Sequence, residues 1–85
     1  MDTVIKKLDE LIRPEMEKME IKLDSIQWIE EKGVRTLKVV LDKANGIDLD
    51  TIVEATNVIN PIVDELDPID VEYTLEVSSK ERGNQ

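Results

Sequence analysis

The sequence predicts an α+β domain with the element order α-β-β-α-β, in which two helices cover one face of a three-stranded sheet. Two segments place apolar residues three or four positions apart, which is the period of an amphipathic helix. Three shorter segments alternate apolar and polar residues, as half-buried strands do. Because 85 residues leave room for one small core, we expect a single domain over residues 1–79 and a disordered polar tail over residues 80–85.

The first predicted helix covers residues 2–19. Its apolar residues would form one stripe, with charged residues on the other side. Pro14 lies inside this pattern and lacks the N–H that a helix interior uses, so we expect a bend there. The predicted buried positions are Val4, Ile5, Leu8, Leu11, Ile12, Met16 and Met19.

A β-hairpin is predicted to follow this helix. The alternation of apolar residues slips by one position at Asp24-Ser25, which indicates a β-bulge. Residues 30–33 form the predicted turn between the two strands. After the second strand, Asn45-Gly46 supplies the left-handed backbone of a tight turn. The alternating apolar residues are Ile21, Leu23, Ile26 and Trp28 in the first strand and Leu37, Val39 and Leu41 in the second.

Asp48 is the predicted N-cap of the second helix, because its carboxylate can accept hydrogen bonds from the free amides near Thr51. Ile47 is expected to pack on Ile52 as a hydrophobic staple. Pro61 predicts a second kink, and Asp67-Pro68 ends the helix. The predicted buried stripe contains Ile52, Ala55, Ile59, Ile62, Val63 and Leu66.

The clearest strand pattern of the chain covers residues 71–78. Here Val71, Tyr73, Leu75 and Val77 alternate with polar residues. Tyr73 and Trp28 are the two aromatic residues of the chain, and both lie on apolar strand faces. We therefore expect both rings to pack in the core rather than to stack on nucleic-acid bases.

Composition excludes several kinds of chemistry. The chain has no His and no Cys, which removes Ser-His-Asp and Cys-His nucleophiles, imidazole or thiolate zinc sites, and disulfides. Asp42, Asn45, Asp48 and Asp50 surround Gly46, but their spacing does not match a calcium-binding loop. We interpret them as turn and cap residues, and we predict a protein without enzymatic activity, metal or cofactor.

Apolar runs are only a few residues long, and the N-terminus has no apolar signal region. We therefore expect no membrane span and no export signal. The predicted compartment is the cytoplasm.

Charge is distributed unevenly along the chain. The net charge is -9, from 20 acidic and 11 basic residues. No Lys or Arg lies between Ala44 and Ser79, a segment that we call the acidic half. A one-signed field of this kind repels phosphate and attracts basic partners, although it also serves solubility. The nine acidic residues of this segment are Asp48, Asp50, Glu54, Asp64, Glu65, Asp67, Asp70, Glu72 and Glu76.

Three segments resemble the N-terminal domain of the RimP ribosome maturation factor family. Asp42 through Ile47 is similar to the family's strand that ends in aspartate and leads through a Gly-Ile turn to a capped helix. Asp67-Pro68-Ile69 is similar to its Asp-Pro corner. Residues 73–79, Tyr-Thr-Leu-Glu-Val-Ser-Ser, are similar to its last strand. The family continues with Pro-Gly-Leu-Asp-Arg-Pro, whereas residues 80–85 here are Lys-Glu-Arg-Gly-Asn-Gln.

The resemblance implies a role in late assembly of the small ribosomal subunit, where the family engages a basic ribosomal protein and the nearby ribosomal RNA. It also implies a second, Sm-like β-barrel domain after the Ser-Ser motif. The acidic half fits a basic protein partner, and we expect a monomer to bind it. The predicted partner-binding residues are Asp64, Asp67, Asp70, Glu76, Ser78 and Ser79.

Two alternative functions stay open from the sequence. One is a KH-like RNA-binding domain that acts through Lys32, Arg35 and Lys38 on the hairpin, although the chain has no G-x-x-G loop. Binding to bare RNA that weakens steeply with salt would favour it. The other is a hydrolase that uses carboxylates and a metal ion, and a change in melting temperature with divalent ions would reveal it.

Overall fold

The computed structural model describes residues 2–44, 46–66 and 72–80. The predicted element order and the α+β class are confirmed. The elements are α1 (Asp2–Lys18), β1 (Lys22–Glu31), β2 (Val34–Asp42), α2 (Leu49–Leu66) and β3 (Thr74–Ser79).

The three strands form one mixed sheet in the order β1-β2-β3. β1 and β2 are antiparallel and form the predicted hairpin, and the predicted bulge lies between Leu23 and Ser25. β2 and β3 are parallel, so the chain must cross from one end of the sheet to the other between them. Helix α2 makes that crossing. α1 packs on β1 and α2 packs on β3, which places both helices on one side of the sheet.

Both helices contain a proline and neither is split by it. α1 is one continuous helix with Pro14 inside, and α2 is one continuous helix with Pro61 inside. The predicted cap of α2 is confirmed: Asp48 Oδ1 accepts hydrogen bonds from Thr51 N at 2.9 Å and from Thr51 Oγ1 at 2.7 Å. The carboxylate therefore satisfies one of the amides that the first turn leaves free.

The core lies between the helices and the sheet. Its centre is made by the predicted residues of α1, β1, β2 and α2, but Leu11 is an exception. Leu11 was expected in the buried stripe and is 41% exposed, because it lies on the flank of α1 that faces α2 rather than the sheet. The fully buried large side chains are Leu8, Ile12, Met16, Ile21, Leu23, Leu37, Val39, Leu41 and Ile59.

Trp28 packs against this core and is only partly buried, which corrects the expectation that its ring lies within the core. Its ring meets Tyr73 edge to face, with 5.8 Å between the ring centroids. Its Nε1 donates a hydrogen bond to Glu30 Oε2 at 3.1 Å. The indole therefore stays at the surface on its polar side, since a fully buried N–H would need an internal acceptor.

The end of the described chain is held against the sheet. Lys80, the first residue of the expected tail, donates from its backbone N to Leu41 O at 2.6 Å. Its Nζ lies 3.3 Å from Asp24 Oδ1. The rest of that tail, residues 81–85, lies outside the described residues, as do residues 67–71, which include the predicted Asp67-Pro68-Ile69 corner. Within the described ranges, no helix is both long and apolar enough to cross a membrane.

Candidate partner-binding surface

The last turn of α2 carries two exposed acids, Asp64 and Glu65. The C-terminal end of a helix has partial negative charge, so cations are favoured there and acids are unfavourable. α2 has no basic residue in this turn. Folding alone does not explain this choice of side chains.

Two further acids of the acidic half flank β3. Glu72 precedes the strand and Glu76 lies within it, and both are exposed. Each ion pair between described side chains draws its carboxylate from another part of the chain, namely Asp9, Glu15, Asp24 or Glu30. The predicted residues Asp67 and Asp70 lie outside the described residues.

The face of the sheet opposite the helices, which we call the open face, gathers several of the predicted residues. Glu76 is paired with Lys38, and Ser78 is paired with Val40. Because paired residues in a parallel ladder point to the same side, all four share this face. Ser79 is paired with the buried Leu41 and therefore points to the helix side.

Val40 is buried on the open face, outside the core cluster. The ion pair between Lys80, which follows β3, and Asp24 of β1 joins the two outer strands across β2. The open face is therefore a mixed surface with a small apolar centre.

The structure does not bring Lys32, Arg35 and Lys38 into one basic patch. Lys32 is in the turn, with φ of 53°. Arg35 shares the side of Leu37 and Val39, and its Nε lies 3.6 Å from Glu30 Oε2. Lys38 points to the open face because strand residues three apart face opposite ways. The alternation of side chains along a strand is enough to predict from the sequence that Arg35 and Lys38 lie on opposite faces of the sheet.

A groove of about 490 Å³ between α1 and α2 was not anticipated from the sequence. Glu15 and Glu65 line it together with four apolar residues. The one sequence signal was the position of Leu11 at the margin of the apolar stripe of α1. The apolar lining residues are Leu11, Val58, Ile62 and Leu66.

The described residues contain no cluster of three or more acidic side chains arranged to hold a metal ion. Asp42 and Asp48 have the predicted turn and cap roles: Lys43 N donates to Asp42 Oδ1 at 2.8 Å, and Thr51 donates to Asp48. The hydroxyl hydrogen bond from Thr51, followed by its backbone hydrogen bond, lowers the pKa of Asp48.

One further ionisable pair is structural. Arg13 donates to both carboxylate oxygens of Asp9, each at 2.8 Å, and its Nη1 donates to Leu23 O at 3.2 Å. The hydrogen bond from Arg13 lowers the pKa of Asp9. This pair connects α1 to the outer edge of β1.

Fold and surface together define a small two-layer α+β domain in which Asp64, Glu65, Glu72 and Glu76 are exposed and lie outside the ion pairs between described side chains. The family model of the RimP N-terminal domain matches residues 11–80. The chain therefore belongs to the RimP N-terminal domain family, which confirms the resemblance of its motifs. This family implies a role in ribosome maturation.

Proposed function

We propose that this domain assists assembly of the small ribosomal subunit by binding a basic ribosomal protein through its acidic half. The observation that carries the proposal is the pair Asp64 and Glu65, placed at the helix end where the dipole disfavours them. Glu76, on the open face of the sheet, is a third exposed carboxylate of the acidic half. We also propose Asp67, Asp70, Ser78 and Ser79 as partner-binding residues, on the strength of their sequence positions beside these acids.

Electrostatic steering is the mechanism that these charges support. Like-signed exposed charges act over about a Debye length, which is ~10 Å at 0.1 M salt and ~3 Å at 1 M. They raise the rate at which an oppositely charged partner associates more than they raise the final affinity. A basic ribosomal protein therefore meets the domain faster at low salt.

The test measures association of purified basic small-subunit ribosomal proteins with two triple variants. Asp64→Asn, Glu65→Gln and Glu76→Gln together remove three charges from the acidic half. The matched control, Glu10→Gln, Glu17→Gln and Glu31→Gln, removes three exposed charges from the rest of the chain. Both sets avoid Asp67, which lies outside the described residues.

We expect the first triple variant to associate several-fold more slowly at low salt, and the control to associate at nearly the wild-type rate. Circular dichroism and melting establish that both variants are folded. Equal association rates for wild type and the folded first variant at low salt would remove the acidic half from the mechanism.

The RNA-binding alternative is tested by titration of bare ribosomal RNA at several salt concentrations. Lys38 pairs across the ladder with Glu76, and Arg35 lies beside Glu30, so each cation has an acidic neighbour. Such pairing weakens attraction to phosphate. Tight, steeply salt-dependent RNA binding that is lost in Lys38→Gln would favour the alternative instead.

A further inference from the structure

β3 is an edge strand of the described sheet, since the strand order is β1-β2-β3. Lys80 N donates a hydrogen bond to Leu41 O of β2. The backbone N–H of Lys80 therefore points toward β2, and this fixes which alternate residues of β3 face β2. Backbone groups of successive strand residues point to opposite edges. The N–H and C=O groups of Leu75, Val77 and Ser79 therefore point away from β2, toward the outer edge.

Described residues protect the other outer edge of the sheet, whereas the β3 edge has no such protection within the part of the chain that the structure describes. β1 carries the bulge at Asp24, and Arg13 Nη1 donates a hydrogen bond to the backbone carbonyl oxygen of Leu23. Bulges and charged side chains are the usual means by which proteins prevent an edge strand from pairing. Among the described residues β3 has a single charged side chain, Glu76, and its ladder with β2 is regular.

An exposed apolar flank lies beside the same edge. Leu49 is 76% exposed and Val53 is 51% exposed. Successive helix residues turn by about 100°, so Val53 lies about 140° from Val58, which lines the groove on the α1 side. The flank of Leu49 and Val53 therefore faces away from α1. Because α1 packs on β1 and α2 on β3, this flank lies on the side of the β3 edge.

The two sides of this edge differ in chemistry. On the helix side a new strand would meet Leu49 and Val53 at the start of α2. Because α2 follows β2 and β3 runs parallel to β2, the start of α2 lies near the C-terminal end of β3. On the open face it would meet Glu76. Side chains of a strand alternate between faces. The complementary segment is therefore an extended peptide in which apolar residues alternate with Lys or Arg.

We propose that the β3 edge binds such a basic, alternating segment of the partner as a fourth strand of the sheet. This inference rests on the proposed function, because it specifies how the basic ribosomal protein is held. Main-chain hydrogen bonds to Leu75, Val77 and Ser79 supply the binding, and the alternating side chains supply the selectivity.

The first test uses the wild-type domain and an acetylated, amidated peptide that alternates Lys and Val. Amide hydrogen exchange is followed by NMR with and without saturating peptide. Exchange at Leu75, Val77 and Ser79 is expected to slow by about ten-fold or more, with much less change at Glu76 and Ser78, which already face β2. Uniform slowing, slowing only along the α1–α2 groove, or no slowing would overturn the proposal.

Two matched pairs of variants provide the second test. Ser79→Pro removes an outward N–H, whereas Ser79→Ala keeps it, and proline is tolerated on an outer strand edge. Val53→Ser removes part of the apolar flank, whereas Val34→Ser changes a valine of similar exposure at the hairpin, 59% exposed against 51% for Val53. We expect Ser79→Pro to bind the peptide more weakly than Ser79→Ala does, and Val53→Ser to bind it more weakly than Val34→Ser does. Equal affinities within both pairs would contradict the proposal that the peptide binds as a strand at the β3 edge.

Failure of this inference is distinguishable from failure of the proposed function. If purified ribosomal proteins bind with the charge dependence described above but Ser79→Pro binds them as well as Ser79→Ala does, the acidic half acts without strand addition. If the ribosomal proteins do not bind while the peptide produces the alternating protection, the edge site exists and its assigned partner is wrong. A peptide with alternate N-methylated amides and the same charge serves as the control and should give no protection.

Discussion

At the residue scale, Asp48 shows how one exposed side chain begins a helix. Its carboxylate accepts both the backbone N–H and the hydroxyl of Thr51, and these bonds lower its pKa below the ordinary 3.8. A carboxyl with a lowered pKa in the folded state stabilises the fold above its unfolded pKa. That contribution is lost as the pH falls through the lowered pKa.

Asp48→Ala is therefore expected to lower the melting temperature by a few degrees at neutral pH. Asp50→Ala is the control, since Asp50 is exposed in the first turn without the cap geometry. The difference between the two variants should shrink as the pH is lowered below 3.8. Equal melting temperatures at neutral pH would show that Asp48 does not act as a cap.

Trp28 makes the second prediction at this scale. If the ring were completely buried, Trp28→Ala would lower the free energy of unfolding by about 5 kcal/mol. The ring is only partly buried beside Tyr73. We expect a loss of about 3 kcal/mol in the free energy of unfolding. Ile29→Ala, one residue on and facing the open side, should cost about 1 kcal/mol. Denaturant titration measures both, and similar losses would place the two side chains in equivalent surroundings.

At the scale of the element, the end of α1 is a Schellman motif. Ile21 N donates to Met16 O and Glu20 N donates to Glu17 O, both at 2.9 Å. The buried Ile21 and Met16 supply the apolar contact that accompanies the motif. The residue between helix and strand, Glu20, has φ of 63°, a conformation in which glycine is normally found.

Glu20→Gly should therefore raise the free energy of unfolding by about 1 kcal/mol, because the left-handed backbone strains a residue with a Cβ. Glu17→Gly is the matched control inside the helix. There glycine is expected to lower stability by about 1 kcal/mol, since it gains chain entropy on unfolding. Urea unfolding of the two variants should move the midpoint in opposite directions, and a shift of the same sign would contradict the assigned cap.

At the scale of the whole molecule, the same charges that we propose for binding act against the fold. The acidic half has nine acids and no Lys or Arg, whereas the rest of the chain is balanced, with eleven of each. Net charge of one sign destabilises a compact state by self-repulsion. Asp64 and Glu65 add an unfavourable interaction with the dipole of α2.

The triple variant Asp64→Asn, Glu65→Gln and Glu76→Gln should therefore melt a few degrees higher than wild type at low ionic strength. The control triple, Glu10→Gln, Glu17→Gln and Glu31→Gln, should melt closer to wild type because bases surround those positions in the chain. Added salt should reduce the first difference by screening. A first triple variant no more stable than wild type at low salt would mean that these acids do not repel one another.

Much of this architecture follows from patterns that span only a few residues. Apolar periodicity distinguishes helices from strands, the phase slip at Asp24 places the bulge, and Asp48 begins α2. These features depend on neighbours in sequence, so sequence is enough to predict them. The final strand, predicted over residues 71–78 and observed over Thr74–Ser79, and the family of the chain follow from a local motif in the same way.

The surface depends on relations between elements that are distant in sequence, and only the tertiary structure decides those. Leu11 belongs to an apolar stripe, yet the packing of α1 beside α2 leaves it in a groove. The alternating pattern of β3 shows which side chains face the core but not whether the strand is central or outer. Strand order results from long-range packing, and in this domain it leaves the backbone of β3 at the edge of the described sheet.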